Sequence, residues 1–441
     1  MSGKIGMISL GCPKNQVDAE LMLSKLSAAG FDVVDDIDAA ELVIINTCAF
    51  IEDAKKEAID SILNTASLKE DGVIQKIVVT GCLSERYRQE LVQEFPEVDA
   101  VVGIGANADI AEVCARVLSG ENVNTFPEKE LMPLEGERML TTPEWWAYLK
   151  IADGCSNRCS YCVIPSIRGD FRSRSMESIL DEARTLADGG VKELVLIAQD
   201  TTRYGEDNYG SLMLPQLLEK LCEIDSLKRI RLLYCYPDRV TDELIKVMAS
   251  NEKIVHYMDL PLQHASGRIL KAMNRSGDAQ SLSALIEKLR AAMPDIVLRT
   301  TFITGFPGET EEDFEILDRF IQDTKFDRLG CFSYSREEGT PAAGFENQVD
   351  KQTADSRADH IMEKQYEIFL HKNEEYIGKT YPVIVEGYDP YTDTYFGRGY
   401  MDAPEIDNRM YFTCGYKLND GDEVEVEVFD MNEYDLIGEV V

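Results

Sequence analysis

The chain has 441 residues, more than one hydrophobic core usually supports, so we expect two or three domains. Its net charge of −35 disfavours binding to a nucleic-acid backbone, which relies on Lys and Arg, whereas it suits a basic protein partner or serves solubility alone. With 11 cysteines, no secretory pattern at the N-terminus and no apolar run of about 20 residues, the composition predicts a cytoplasmic protein with reduced thiols and no membrane span.

Residues 1–140 alternate apolar strands with amphipathic helices, a pattern typical of a doubly wound parallel sheet with helices on both faces. The predicted strands are 4–10, 41–47, 76–80 and 100–104. The predicted helices include 52–63, 84–95 and 108–118. We therefore expect an N-terminal α/β domain in which Cys114, on the last of these helices, is a core residue.

Three further cysteines of this domain, Cys12, Cys48 and Cys82, each come directly after a predicted strand. Their separations of 36 and 34 residues correspond to one βα unit each. Because the carboxyl ends of parallel strands meet at one edge of the sheet, we expect the three thiols to be neighbours. The spacing favours a 4Fe-4S cluster with one open iron over three unrelated buried cysteines.

Residues 119–143 are polar, contain three prolines and are predicted to form a linker. A second alternating series spans 141–373 and predicts a partial (β/α)6 barrel, with chemistry at the carboxyl ends of its strands. The predicted strands are 147–152, 193–198, 229–236, 256–262, 297–303 and 328–334. The predicted helices are 178–188, 214–221, 242–248, 279–292, 311–324 and 353–375.

The first strand of this series leads into a loop with the spacing Cys155-x3-Cys159-x2-Cys162. Three thiolates this close can wrap one inorganic centre, and a cubane cluster with three cysteine ligands keeps one iron open for chemistry. A zinc knuckle would need a fourth Cys or His, which the segment 147–175 lacks. We therefore favour a 4Fe-4S cluster over a zinc site or plain core cysteines.

Polar and turn-forming residues follow several later strands. Two glycines around a Phe-Pro pair would let the backbone approach a flat ligand, or would simply form a tight βα turn. A histidine after the fourth strand would act as an acid or base, or would be a hydrogen-bonded histidine at the barrel rim. These residues are Gln199, Gln263, His264, Gly305, Gly308 and Glu309.

The C-terminal segment, 374–441, changes to short β runs separated by turns, which suits a small OB-like barrel. It carries four Lys or Arg against 17 Asp or Glu, so we do not expect it to bind nucleic acid. The predicted strands are 381–387, 395–400, 409–414, 423–429 and 436–441. The fold class is therefore α/β in three domains, with an all-β third domain and boundaries at 1–140, 141–373 and 374–441.

The spacing of the barrel-loop cysteines resembles the signature of radical S-adenosylmethionine enzymes, and the six βα units match their partial barrel. The N-terminal domain, with cysteines in Gly-Cys-Pro-Lys-Asn, Asn-Thr-Cys and Gly-Cys, is similar to that of the methylthiotransferases. The C-terminal β domain is similar to their TRAM domain. The resemblance covers essentially the whole chain.

Two branches of this family differ in substrate, which is either a tRNA adenosine (MiaB type) or an aspartate of small-subunit ribosomal protein uS12 (RimO type). The segments 11–15, 164–169 and 199–205 are similar to the RimO branch. An acidic TRAM-like domain also suits a basic ribosomal protein better than RNA. The resemblance therefore implies addition of a methylthio group to the β-carbon of an aspartate in uS12, with the tRNA adenosine as the alternative.

In this family the resemblance implies two 4Fe-4S clusters and S-adenosylmethionine as cofactors. The catalytic cluster, held by Cys155, Cys159 and Cys162, binds S-adenosylmethionine and takes an electron from a flavodoxin-type or ferredoxin-type donor to generate a 5′-deoxyadenosyl radical. The second cluster, which presents sulfur to the substrate, is held by Cys12, Cys48 and Cys82.

The resemblance leaves the contacts to S-adenosylmethionine open, because the second strand ends in Ala-Gln-Asp without the Gly-Gly-Glu common in the superfamily. Our candidates for cofactor contacts are Gln199, Gln263, Gly305, Gly308 and Glu309. Three arginines after the cysteine loop would pair with the cofactor carboxylate or the substrate aspartate, or would be solvated loop residues. They are Arg168, Arg172 and Arg174.

Two functions outside the family stay open at this point. A zinc-bearing, ribosome-binding adaptor would explain the cysteines and the charge, but not two ordered cysteine sets on βα loops. A simple iron–sulfur electron carrier would explain both clusters, but not a full barrel and a TRAM-like module.

Overall fold

A computed structural model describes residues 3–441, in which two parallel α/β sheets are followed by a small closed β-barrel. The predicted fold class is thereby confirmed. Residues 1–2, which the predicted N-terminal domain includes, lie outside the described residues. No helix between residues 3 and 441 is long and apolar enough to cross a membrane.

The N-terminal sheet contains the four predicted strands and two short additional ones. Its strands are β1 (Lys4–Ser9), β2 (Asp32–Val33), β3 (Leu42–Thr47), β4 (Lys76–Gly81), β5 (Ala100–Val102) and β6 (Val123–Thr125). They are all parallel, in the order β2-β1-β3-β4-β5-β6. The helices are α1 (Pro13–Ala28), α2 (Glu52–Glu70), α3 (Cys82–Tyr87), α4 (Gln89–Glu94) and α5 (Ile110–Leu118). Every residue of β3 is buried, as expected for a central strand covered on both faces.

Two predictions for this part of the chain are wrong in detail. The helix predicted over 84–95 is two short helices, because Arg88 between them has a left-handed backbone with φ of 43°. The predicted linker, 119–143, contains β6, which pairs with β5 at the edge of the sheet. It also contains Arg138, which is buried against Glu20 of α1 at 2.6 Å. The segment is therefore part of the packed structure.

The central sheet has the six predicted parallel strands. They are β7 (Trp146–Lys150), β10 (Glu193–Ile197), β11 (Arg229–Leu232), β12 (Ile254–Asp259), β13 (Val297–Thr304) and β14 (Arg328–Ser333), and two short strands, β8 (Ala152–Asp153) and β9 (Arg172–Ser173), pair separately. Sequential strands are neighbours, with β7 and β14 at the two edges, so the sheet is open, as a partial barrel requires. Its helices are α6 (Ile164–Arg168), α7 (Met176–Asp188), α8 (Leu214–Cys222), α9 (Asp242–Ser250), α10 (Gly267–Ala272), α11 (Ala279–Ala292), α12 (Glu311–Thr324) and α13 (Lys351–Glu374).

Capping explains why two of these helices begin where the sequence predicts. Thr310 accepts a hydrogen bond from the backbone of Asp313 and Asp313 accepts one in return, which forms a capping box in front of α12. Asp278 and Ser281 form the same arrangement in front of α11. Both helices therefore match the predicted bounds.

The C-terminal barrel closes around its own small core. Its strands are β15 (Thr380–Asp389), β16 (Thr394–Arg398), β17 (Met410–Thr413), β18 (Glu423–Asn432) and β19 (Asp435–Val440). They join in the order β15-β16-β17-β19-β18, which matches the predicted five-stranded barrel.

The barrel contacts the amino ends of the central strands through buried charges. Glu193, the first residue of β10, pairs with Arg231 at 2.8 Å and with Arg398 of β16 at 3.2 Å. Burial alone would favour the neutral acid, but Arg398 and Arg231 lower the pKa of Glu193 to about 2. The two tryptophans of the chain, Trp145 and Trp146, lie beside this contact.

Candidate active site

The structure brings the six predicted cysteines together in two sets of three. We call these the barrel cysteines, Cys155, Cys159 and Cys162, and the N-terminal cysteines, Cys12, Cys48 and Cys82. Within each set the thiols are close enough to interact electrostatically. In residues 3–441 no three side chains of His, Cys, Asp or Glu converge on the position of a single metal ion. A cubane cluster does not need that convergence, because each cysteine binds a different iron.

The loop of the barrel cysteines is held by backbone contacts to distant segments. The N–H of Ser160 donates to the carbonyl of Met273 at 3.0 Å, and the carbonyl of Ser160 accepts from Ala342 at 2.9 Å. Gly154 begins the loop with φ of 78°, and a Cβ there would lie 2.2 Å from the carbonyl oxygen of Asp170. Only glycine fits this position, so the entry into the loop is sterically fixed.

A half-buried arginine lies against one of the barrel cysteines. Arg275 donates from Nη1 to the sulfur of Cys159 at 3.8 Å, and from Nη2 to the carbonyl of Pro261 at 2.7 Å. Its guanidinium also stacks over the ring of Tyr236, 4.1 Å from the centroid. The charge of Arg275 is therefore directed at the cysteine set, and no carboxylate of the described residues forms an ion pair with it.

The N-terminal cysteines follow β1, β3 and β4, as the strand spacing predicts. Gly11 precedes Cys12 with φ of 89°, and a Cβ on it would lie 2.7 Å from the sulfur of Cys48. Gly81 precedes Cys82 with φ of 96°, and a Cβ there would lie 2.4 Å from a backbone oxygen of β3. Both glycines are required because the strand ends approach so closely. Burial raises the pKa of the Cys82 thiol to about 12.

Arg168 connects the two cysteine sets. It is 2% exposed and donates to Asp18 of α1 at 2.6 Å and to Asp153, just before the barrel-cysteine loop, at 2.9 Å. Its other nitrogen donates to Asn15 at 3.1 Å and to the sulfur of Cys82 at 3.7 Å. One guanidinium thus touches an N-terminal cysteine and the base of the barrel-cysteine loop.

Of the three loop arginines, Arg168 and Arg174 are buried and Arg172 is half-buried, and the contacts of the first two leave little freedom to pair with a ligand. Arg168 is engaged by two carboxylates. Arg174 is buried and pairs with Glu182 at 2.5 Å. Arg172 donates to the carbonyl of Glu130 at 2.5 Å, although its Nε and Nη2 have no hydrogen-bond partner among the described residues. Of the two alternatives, a solvated loop residue is therefore wrong for Arg168 and Arg174.

Gln199 lies at the carboxyl end of β10, beside the same charge network. Its Nε2 donates to Asp153 at 3.0 Å, while its Oε1 is buried with no hydrogen-bond partner in residues 3–441. Burial alone would favour neutral Asp153, but Arg168 and Lys150 hold the pKa of its carboxyl well below the ordinary value. The anionic Asp153 fixes the amide of Gln199 in one orientation.

The turn after β13 is closed by its own contacts. The N–H of Gly305 donates to Glu309 at 3.0 Å, and Glu309 also accepts from Arg357 at 2.7 Å. His264 is fully buried, and its ring lies 3.2 Å from the same carboxylate. Of its two predicted roles, the structure therefore agrees with a hydrogen-bonded histidine. A Cβ on Gly305 would lie 2.2 Å from the Cβ of Ala354 in α13. The missing side chain therefore makes room for helix α13 and not for a ligand.

The other two predicted contact residues lie on the same side of the sheet. The backbone N–H of Gln263 donates to the carbonyl of Thr301 at 2.8 Å, and its carbonyl accepts from Ile303 at 2.8 Å. These hydrogen bonds hold Gln263 at a strained φ of 71°. Gly308 donates to the carbonyl of Asn347 at 2.8 Å. Gln263 thus follows β12 as Gln199 follows β10, at the carboxyl edge of the sheet, while Gly308 belongs to the closed turn.

The segment 337–342, which follows β14 and which we call the strap, contacts both α/β domains. Glu337 is 3% exposed and accepts from Arg86 of α3 at 2.8 Å and from Lys55 of α2 at 3.2 Å. A few residues later the strap reaches the barrel-cysteine loop through the contact between Ala342 and Ser160. The strap therefore touches the helix that begins at Cys82 and the loop of the other set.

Sequence patterns missed Lys14, Asp153, Arg275 and Glu337 as site residues. Lys14 and Asp153 each lie two residues from a predicted ligand, a proximity that could have marked them. Arg275 and Glu337 carry no such signal, because their positions depend on how distant segments pack.

Three family models match separate parts of the chain. They are the uncharacterized protein family UPF0004 over residues 4–103, the radical SAM superfamily over residues 149–321 and the TRAM domain over residues 377–441.

Relatives match along the whole length. The chain is 50% identical over 436 residues to the ribosomal protein uS12 methylthiotransferase RimO of a Thermoanaerobacter species, with 99% of each chain covered. It is 51% identical over 436 residues to the protein of the same name from Caldanaerobacter subterraneus subsp. tengcongensis, again covering 99% of each chain. Among solved structures, the radical S-adenosylmethionine methyltransferase TsrM from Kitasatospora setae superposes with a TM-score of 0.57 at 16% identity, covering 78% of this chain and 77% of that chain. That likeness concerns the fold alone.

Proposed function

The chain belongs to the RimO family of radical S-adenosylmethionine methylthiotransferases, and we propose that it adds a methylthio group to the β-carbon of an aspartate in ribosomal protein uS12. The observation that supports this proposal is the buried Arg168, which donates to the sulfur of Cys82 and to Asp153, two residues before Cys155. A reaction that needs both a radical and a sulfur atom requires two centres close together.

Membership of the radical S-adenosylmethionine superfamily implies a 4Fe-4S cluster and S-adenosylmethionine. We assign that cluster to the barrel cysteines and a second 4Fe-4S cluster to the N-terminal cysteines. The donor sets fit, because each site offers three thiols and one arginine N–H directed at a sulfur, the kind of outer contact that tunes a cluster. When bound, these groups supply hydrogen abstraction from an unactivated carbon and the sulfur that replaces the hydrogen.

The protein's own residues would orient the cofactor. The unpartnered Oε1 of Gln199 would accept a hydrogen bond from the amino group of S-adenosylmethionine, which removes a cost of about 1–3 kcal/mol for a buried oxygen left unsatisfied. Gln263 is the second candidate, after β12 and at the same carboxyl edge of the sheet. The turn with Gly305, Gly308 and Glu309 would contact the cofactor by van der Waals packing, because its polar groups already form hydrogen bonds within the protein.

The charge of the chain supports a basic protein as substrate. The C-terminal segment 374–441 has 17 acidic residues against four basic ones, which disfavours tRNA as the substrate. In this proposal 1–140 carries the second cluster, 141–373 carries the radical chemistry and 374–441 recruits uS12. The enzyme would work in the cytoplasm with an external one-electron donor of flavodoxin or ferredoxin type.

Anaerobic reconstitution with iron and sulfide, followed by incubation with uS12, S-adenosylmethionine and a reductant, tests the proposal. We expect about eight iron atoms per chain, about four in Cys12→Ala or Cys155→Ala, and about eight in the core control Cys114→Ala. Mass spectrometry should locate a methylthio group on one aspartate of uS12. Modification of tRNA with uS12 unchanged would overturn the substrate assignment, and zinc in place of iron would overturn both clusters.

A further inference from the structure

Lys14 is a buried lysine without an anionic partner. Its side chain is 6% exposed, and in residues 3–441 no carboxylate lies within ion-pair distance of its ammonium. The ammonium lies over the ring of Tyr234, 3.2 Å from the centroid. A cation–π contact of this kind stabilises by only about 0.5–2 kcal/mol, whereas removing an ammonium from water costs several kcal/mol.

The buried cations nearest to Lys14 are paired with carboxylates, whereas Lys14 is not. Lys150 contacts both Asp18 and Asp153, and Arg168 contacts the same two carboxylates. These four side chains balance one another and leave no carboxylate over for Lys14. The groups that favour its charge are then the hydroxyl of Tyr234 and the thiol of Cys12, and a carboxylate brought by a substrate would add the ion pair that no described residue provides.

Lys14 lies between an N-terminal cysteine and the carboxyl end of a strand of the central sheet. Lys14 is in the first turn of α1, two residues after Cys12. Its side chain reaches Tyr234, the second residue after strand β11 of the central sheet. Tyr234 is held there with φ of 61°, its N–H donating to Asp259 at 3.0 Å and its carbonyl accepting from Thr201 at 3.0 Å. A non-glycine residue held in this conformation is strained, and such strain concentrates at functional sites.

We infer that Lys14 binds the side-chain carboxylate of the substrate aspartate, an inference that rests on the proposed function. The carboxyl carbon of aspartate is bonded to the β-carbon, so an ion pair at Lys14 would hold the reacting carbon one bond from a fixed group. A neutral amide in place of the carboxylate would leave the buried ammonium unpaired. Lys14 therefore selects aspartate over asparagine as well as positioning it.

The test compares uS12 with its Asp→Asn variant at the modified position, bound to the reconstituted holoenzyme and measured by fluorescence anisotropy. We expect the wild-type enzyme to prefer aspartate by at least about tenfold, the preference to vanish in Lys14→Met, and to return in part in Lys14→Arg. Lys56→Met is the matched control, because that lysine is 64% exposed on α2 and should keep the full preference.

Iron content and the electron paramagnetic resonance spectra of both clusters accompany the binding data. Unchanged clusters together with a lost preference support the inference. If Lys14→Met still prefers aspartate over asparagine, the inference is wrong. A changed cluster spectrum together with a retained preference would show that the lysine acts on the cluster. If wild-type holoenzyme with intact clusters leaves uS12 unmodified, the proposed function fails instead.

Discussion

Replacing Glu193 with glutamine should loosen the C-terminal barrel from the central sheet. Glu193 pairs with Arg231 and Arg398 inside a fully buried contact. Its pKa of about 2, against 4.5 for an unpaired glutamate, corresponds to about 3 kcal/mol of stabilisation at neutral pH. Removing one partner of a buried ion pair costs about 3–5 kcal/mol by itself, so two independent arguments agree on the size of the loss.

The assay is urea unfolding of Glu193→Gln followed by tryptophan fluorescence, because Trp145 and Trp146 adjoin this contact. The matched control is Glu423→Gln. Glu423 pairs with Arg229 at 2.8 Å in the same contact, but its side chain is 38% exposed, so we expect a loss of about 1 kcal/mol or less.

The pH dependence gives a second check. The pKa of Glu193 is lower in the folded protein than in the unfolded chain, so its stabilisation is complete above pH 4.5 and is lost as the pH falls towards 2. The difference between wild type and Glu193→Gln should shrink over this range. A variant within about 1 kcal/mol of wild type at neutral pH, or a difference that ignores pH, would refute the reasoning.

Three further substitutions test other contacts. Arg275→Gln should lower the reduction potential of the cluster at the barrel cysteines by roughly 50 mV in a spectroscopic redox titration, because a positive donor near one sulfur is lost. Glu337→Gln should speed amide exchange in the strap, since two cations lose their shared carboxylate. Gly305→Ala should lower the free energy of unfolding by at least about 2 kcal/mol, whereas Gly344→Ala, in open space, should not.

Each of these has a contradicting outcome. An unchanged potential in Arg275→Gln would show that its charge does not reach the cluster. Exchange in the strap equal to that of wild type would mean that backbone contacts alone hold it. A stable Gly305→Ala would mean that α13 can move away from the turn.

Local patterns predicted most of the fold and the six cysteines. Apolar runs located ten of the strands in the two α/β sheets, and the βα period placed the N-terminal cysteines at one edge, because parallel topology leaves little choice. The short strands β2 and β6 were missed, since two or three residues carry no periodic signal. The break at Arg88 was missed for a related reason, because its left-handed backbone has no glycine to announce it.

The polar part of the site was harder to predict. Arg168 was named only as a candidate partner of the cofactor or substrate, and its actual partners, Asp18 of α1 and Asp153 of β8, come from distant segments. Glu337 and Arg86 are 251 residues apart, and their pairing depends on how the sheets dock. Sequence periodicity describes which face of an element is buried, and it contains no information about which charges meet across a domain contact.

The bridge through Arg168 also constrains how the protein is made. Asp18 leaves the ribosome 150 residues before its partner Arg168, an interval of roughly 8–30 s at a synthesis rate of about 5–20 residues per second. During that time the N-terminal sheet can form, but Cys82 still lacks its arginine donor. The N-terminal cysteine set therefore reaches its final surroundings only after the barrel-cysteine loop has been synthesised, so that a cluster bound there would complete its environment late in synthesis.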